Sequence, residues 1–138
     1  MLDFSTGFGR HVGARLRRQQ VIWLTTVDRR LCPQPRPVWF QWNGSTILIF
    51  SQRQGAKVRH IQRNPHVALN LNSDPSGNEV TVILGQARAL KRWPSRARLA
   101  EYFRKYRRGL KELGISEEAF RKDYCVPIEI RPTTLRGF

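Results

Sequence analysis

Acidic residues are scarce in this sequence. Ten Asp and Glu stand against 25 Lys and Arg, a formal net charge of +15 over 138 residues. Carboxylates this sparse leave too few hard oxygen ligands for a magnesium site. Cysteine is scarcer still: Cys32 and Cys125 lie far apart, with no CxxC and no Cys/His spacing, so neither a zinc site nor a disulfide framework is expected. No apolar run approaches the roughly 20 residues that cross a bilayer. The opening MLDFSTGFGRH lacks the basic-then-apolar order of an export signal. The expectation is a cytoplasmic protein with free thiols and no membrane partner. Also missing are a Ser/His/Asp order, paired carboxylates and a GxGxxG following a strand. The three histidines are scattered. The sequence therefore assigns no catalytic residue and no metal ligand.

What is present in excess is positive charge. So many Lys and Arg commonly mark a nucleic-acid surface, where phosphate neutralisation releases counterions. Here they are spread along the chain instead of forming a terminal arm, and no helix-turn-helix or RNP signature accompanies them, so nucleic acid ranks last among the anionic partners. A small phosphate-bearing ligand with an acidic tail needs only a few of these residues, and the rest then form a solvated surface. A length of 138 residues supports one domain and one core.

The most informative stretch runs over residues 37–71, PVWFQWNGSTILIFSQRQGAKVRHIQRNPHVALNL. PVWFQW and STILIFS are apolar runs rich in β-branched and aromatic residues, joined by Asn43-Gly44, which suits the mirror-image turn of a hairpin. After Ser51 the pattern changes. Ala56, Val58 and Ile61 sit among Lys57, Arg59, His60 and Arg63, which predicts a short helix ended by Asn64-Pro65. HVALNLN then alternates, with Val67, Leu69 and Leu71 on one side.

Around this stretch, FGRHVGARLRRQQ predicts a basic helix with Val12 and Leu16 inward and Arg15, Arg17 and Arg18 outward. That helix is read either as a cap with a solvated face or as an anion-binding arm. VIWLTTV is a strand, turned by Asp28-Arg29-Arg30. Pro33, Pro35 and Pro37 cannot donate to a ladder, so the segment they mark is an edge strand. SDPSGN is a loop, and EVTVILGQARAL a long strand in which Gly85 marks a bulge. Pro94 is expected in the first turn of the longest helix, which Gly109 or Gly114 ends; its aromatics either line a pocket or pack on the sheet. Ser116 caps a further short helix, and VPIEI is the last strand.

Ser51, Arg53, Lys57 and Arg59 cluster where a strand end enters a helix. A phosphate needs amide or hydroxyl donors and one or two cations, ideally at a helix N-terminus. Gly55 lets this loop bring its amides close to a ligand. His60 is read as a surface side chain or a contact to that anion.

The order of these pieces (PVWF strand, NG turn, strand ending in Ser, lysine, then NP before a third strand) resembles the pyridoxamine-phosphate-oxidase-like split β-barrel superfamily. Within it, the sequence is most similar to small flavin- or deazaflavin-dependent oxidoreductases, many of which use coenzyme F-420. VIWLTTV, EVTVILGQARAL and VPIEIRPTTLRGF extend the resemblance over nearly the whole chain. It implies a mainly β fold with flanking helices, an FMN-binding-protein-like split β-barrel that forms a homodimer. In this division, residues 1–20 are an N-terminal helix or arm and 21–92 the main barrel strands. Residues 94–124 are helices and 125–138 the closing strand and tail.

The resemblance also places cofactor-binding residues. Ser51 and Lys57 match the phosphate-binding positions, with Arg59 beside them. Ala56 stands where many relatives carry Arg or Lys, and Arg53 is assigned the missing charge. Pro37, Val38 and Trp39 are placed at the flavin or deazaflavin ring, with Phe50 on the supporting strand. Arg30 departs from the Asp-Gly common in the relatives' first turn. Trp39, Trp42 and Trp93 are expected to be buried between two protomers, whose interface holds the cofactor sites. The implied function is hydride transfer between a cofactor (reduced coenzyme F-420 before FMN) and a small conjugated substrate. The alternatives are a non-catalytic FMN- or haem-binding carrier of the same fold and a basic nucleic-acid-binding protein.

Overall fold

The computed structural model describes residues 2–138, which form four helices and seven strands. In chain order these are α1 (Gly7–Arg18), β1 (Ile22–Val27), β2 (Pro33–Val38), β3 (Gln41–Trp42), β4 (Ile47–Ser51) and α2 (Ala56–Arg63). There follow β5 (His66–Asn70), β6 (Thr81–Ala89), α3 (Arg96–Leu113), α4 (Glu117–Asp123) and β7 (Val126–Gly137). The strands make one antiparallel sheet in the order β2-β1-β5-β6-β7-β4-β3. Its two outermost strands, β2 and β3, are consecutive in sequence and separated only by Trp39 and Phe40. A two-residue link spans about 10 Å at most, so the sheet must curl until its edges nearly meet. The result is a mainly β half-barrel with flanking helices.

This link corrects the expectation of a single PVWFQW strand. Pro37 and Val38 pair with Trp23 and Ile22, whereas Gln41 and Trp42 pair with Leu48 and Ile47. The apolar run is continuous because it crosses from one sheet edge to the other with Val38 and Trp39 half-buried and Phe40 and Trp42 buried. The hairpin after it forms, with its centre one residue later than Asn43-Gly44. Trp42 faces Ile47, so Gly44 (φ +94°) and Ser45 are the central pair. Asn43 instead accepts the Ser45 and Thr46 amides on its side-chain oxygen (2.9 and 2.7 Å).

Burial explains the composition of β4. Ile47 and Ile49 face the barrel core with Ile22, Leu24, Phe40, Leu69, Ile83 and Ile128. Leu48 and Phe50 face a second cluster built with Tyr102, Phe103, Tyr106 and Leu110 of α3 and Phe120 of α4. A strand covered on both faces reads as an unbroken apolar run. The long β6–β7 pairing carries the bulge at Leu84/Gly85, where a Cβ on Gly85 would lie 2.7 Å from the Arg131 carbonyl.

Three further expectations are corrected. Arg15 points inward, not outward, and is 6% exposed. Its guanidinium donates to the Glu79 carbonyl, Thr81 Oγ1 and the Asn72 carbonyl (2.9, 2.9 and 2.8 Å), tying α1 across the β5–β6 connection. Trp42 is not an exposed aromatic awaiting a partner chain: it is 4% exposed and packs on Phe4 within its own protomer. Pro94 precedes α3 rather than sitting in its first turn. Ser95 is the N-cap, accepting the Arg98 amide, and the helix ends at Gly114. Among the described residues, no helix is long and apolar enough to cross a membrane.

Candidate functional site

The link between β2 and β3 also forms the floor of a cleft of about 340 Å³. Pro37, Val38 and Trp39 supply its sheet side, Phe50 its back and Lys57 one end. The opposite wall is helical, with Tyr102 from α3, Phe120 from α4 and Tyr124 just after it; Leu113 and Ile115 form the rim. Trp39 is held flat. Its ring stacks on Tyr106 (4.4 Å between centroids, 6° between planes) and lies against Gly109, where a Cβ would stand 3.1 Å from the indole.

The peptide after Trp39 has no strand partner in the sheet, and α3 provides the substitutes. The Phe40 amide donates to the Tyr106 hydroxyl (2.7 Å), which lies 2.8 Å from the Phe40 carbonyl and 2.7 Å from the Gln20 carbonyl. Lys105 Nζ donates to the Phe40 carbonyl (3.0 Å) and sits 3.8 Å above the Phe40 ring. Burial pulls the Lys105 ammonium down to about 8 and pushes the Tyr102 and Tyr106 phenols up.

At Pro37 and Lys57 the cleft adjoins a second cavity of about 190 Å³, also lined by Thr26, Gln34, Arg36, Ala56 and His60. Here the surface is polar and cationic. Lys57 is half-buried and its pKa falls below the ordinary lysine value, first through desolvation and second through the charge of Arg36. Two cations facing one small cavity repel each other, and an anion between them removes that cost. The α2 N-terminus opens on the same cavity. Its N-cap, Gly55, makes no side-chain capping bond, so the helix provides amides where the dipole favours negative charge. Gly55 is required for space, since a Cβ there would lie 2.7 Å from Ser51 Oγ. Thr26 Oγ1 and His60 Nδ1, 2.8 Å apart, fix the imidazole at the far wall.

The structure thus brings together Pro37, Val38, Trp39, Phe50, Ala56 and Lys57. It does not bring in the other three candidates. Ser51 is fully buried, its hydroxyl donating to the Gln52 carbonyl (3.0 Å) beneath the loop. Arg53 lies outside both cavities, with its guanidinium 3.9 Å from Cys125 Sγ. Arg59 donates to the Gln54 carbonyl (3.1 Å) and faces a separate basin beyond His60. The second cation lining the Lys57 cavity is Arg36. Its signal was present in the alternation of β2, where Gln34, Arg36 and Val38 fall on one face between the prolines. Of the helical aromatics, Phe103 and Tyr106 are packing, with Leu110 beside them, whereas Tyr102 both packs and lines the cleft. Among the described residues, no three His, Cys, Asp or Glu side chains are grouped to hold a metal.

Comparison with known proteins agrees with this architecture. The family profile described as pyridoxamine 5'-phosphate oxidase matches residues 8–136. No curated protein matches the sequence. Among solved structures, a candidate pyridoxamine 5'-phosphate oxidase from Listeria innocua is 25% identical, with a TM-score of 0.66 over 92% of this chain and 94% of that one. An F-420 reductase is 24% identical, with a TM-score of 0.68 over 89% and 94%. The haem storage protein HutZ from Vibrio cholerae is 14% identical, with a TM-score of 0.69 over 96% and 95%. The last two likenesses concern the fold alone.

Proposed function

The chain belongs to the pyridoxamine 5'-phosphate oxidase family, and from that premise we propose that it is an oxidoreductase binding a flavin-type cofactor in the cleft. The observation that carries this reading is the juxtaposition of a flat, aromatic-walled compartment with a cationic one at a helix N-terminus. That is the shape of a ligand with a planar ring at one end and a phosphate at the other. Pro37, Val38 and Trp39 would support the ring. Lys57, Arg36 and the first amides of α2 would hold the phosphate. When bound, such a cofactor supplies a hydride donor or acceptor.

The chain's own residues bind, orient and exclude water. Tyr102 and Phe120 cover the helical side, and burial keeps the Tyr102 phenol protonated at neutral pH. Among the described residues the apolar compartment is lined by no imidazole, thiol or thioether, and burial holds the phenol of Tyr102, one of its two tyrosines, in the protonated form that ligates iron poorly, which favours a flavin over haem. Between cofactors, the strongly positive surface favours reduced coenzyme F-420, with its acidic tail, over FMN. The substrate is a small conjugated molecule. The protein is proposed to act as a homodimer, with Leu113 and Ile115 on the exposed rim closing the cleft against the partner.

Equilibrium binding of coenzyme F-420 and of FMN, followed by tryptophan quenching, tests the reading. Micromolar or tighter binding of one is expected, weakened about 10- to 100-fold by Lys57→Ala through loss of a charge-assisted contact. Binding of neither, or binding indifferent to Lys57→Ala, refutes it. Tight binding without turnover of any conjugated acceptor would leave a carrier.

A further inference from the structure

Residues 116–124 carry α4 and the Tyr124 that follows it, and so supply much of the helical wall of the cleft. They are lightly held. Within α4 only Phe120 is buried, its ring packed among Trp39, Phe50, Tyr102 and Phe103. Among the described residues, one hydrogen bond ties this segment to the rest of the chain: Gln52 Nε2 donates to Asp123 Oδ2 at 3.0 Å. We infer that Gln52 is a positioning residue, coupling the loop that enters α2 to the aromatic wall, so that an anion at Lys57 and a planar ring in the cleft bind cooperatively. The inference rests on the cofactor reading above.

Gln52 touches both ends of the site. Its carbonyl accepts the Gly55 amide and the Ser51 hydroxyl (3.0 Å each), closing the turn that delivers Gly55 to the α2 N-cap. An anion drawn to the first amides of α2 therefore orders the residues that carry the Gln52 side chain. That side chain ends on Asp123, three residues after Phe120 and one before Tyr124. Phe120 and Tyr124 stack on each other (4.7 Å between centroids, 15° between planes), which makes one unit of the wall. Phe120 in turn lies 5.9 Å from the Trp39 ring, on the sheet side of the cleft. Arg53, next in the loop, sits 3.9 Å from Cys125 Sγ and braces the same two segments. The Gln52–Asp123 bond forms only when loop and wall are both in place. Ordering one end then leaves less conformational entropy to be lost at the other, which is positive cooperativity between the two compartments.

The test uses fragments that fill one compartment each: inorganic phosphate for the cationic cavity and riboflavin, a ring without phosphate, for the cleft. In the wild type, saturating phosphate is expected to tighten riboflavin about three- to tenfold by tryptophan quenching, the effect of one charge-assisted hydrogen bond. Gln52→Ala and Asp123→Ala should each remove that enhancement, and the double variant should lose no more than either. Asp123→Asn, which keeps an acceptor oxygen, should retain it. Thermal melts confirm that the variants are folded, and equal melting temperatures with unequal coupling exclude a merely structural role. Riboflavin affinity indifferent to phosphate in the wild type, or enhancement that survives in Gln52→Ala, overturns the inference. If riboflavin does not bind the wild type, the cofactor reading fails, and hydrogen exchange judges the coupling separately. Phosphate should then slow amide exchange across residues 117–124 in the wild type and not in Gln52→Ala. Exchange that is the same with and without phosphate overturns the coupling too.

Discussion

Lys105 offers the sharpest quantitative test of how α3 holds the link between the sheet edges. Its ammonium is half-buried over the Phe40 ring, and desolvation lowers its pKa from 10.5 to about 8. Between those values the unfolded chain binds a proton that the folded protein does not, so stability must rise with pH across that window. At full strength the shift corresponds to roughly 3 kcal/mol, of which roughly 2 kcal/mol is recovered between pH 7 and 9.5. Screening of a half-buried charge reduces this to roughly 1 kcal/mol. In Lys105→Met the apolar stem still covers Phe40, and the Phe40 carbonyl keeps the Tyr106 hydroxyl at 2.8 Å. The variant should therefore lie within about 1 kcal/mol of wild type at pH 7. Urea unfolding of both proteins at half-unit steps from pH 7 to 9.5 measures the difference. Subtraction removes other titrations, including Lys57, which contributes in the same direction, and Tyr102 and Tyr106, which oppose it above pH 10. The wild type should gain roughly 1 kcal/mol on the variant across the range. A difference that is flat, or that falls, refutes the buried-ammonium argument.

Arg15→Met removes the donor from one buried acceptor, Thr81 Oγ1, and from two part-buried carbonyls on the β5–β6 connection and should cost about 1–3 kcal/mol in urea unfolding; a loss below about 0.5 kcal/mol would show that α1 is not anchored there. Gly85→Ala drives a Cβ to 2.7 Å from the Arg131 carbonyl and should cost about 1–3 kcal/mol, with wild-type stability counting against the bulge geometry. Leu31 adopts φ +64° while 71% exposed, so Leu31→Gly should stabilise by up to about 1 kcal/mol, seen as a higher Tm. A lowered Tm would mean that the side chain makes a contact of its own.

Local structure was legible in the sequence wherever one short pattern decided it. The α2 helix ends before Asn64-Pro65, β5 alternates as HVALN does, and Gly85 marks the bulge. The errors arose where a long-range partner decides. PVWFQW looks like one strand because apolar residues at a sheet seam read like those inside a strand. Arg15 looks solvent-facing because its acceptors come from residues 72–81, although its place three residues after Val12 puts it on the buried face. In the site, the sheet-side residues and Lys57 could be read from chain order, and Arg36 from strand alternation. The helical wall was legible only as an alternative for the α3 aromatics, and not at all for Phe120 and Tyr124, because these side chains meet Trp39 only through tertiary packing.

The sheet order also sets a timetable for the chain's synthesis. β4 finds its main partner in β7, with Ile47 opposite Ile130, so the β3–β4 hairpin waits for more than half the chain before it can dock. The seam at Phe40 waits for Tyr106. On an emerging chain the proline-marked β2 edge and the apolar β4 are thus made early and covered late. Loops this long close slowly, and an exposed apolar strand is where nascent chains associate wrongly. Loss of residues from β7 should accordingly leave the hairpin without its place in the sheet, and such chains should be recovered mainly as aggregates.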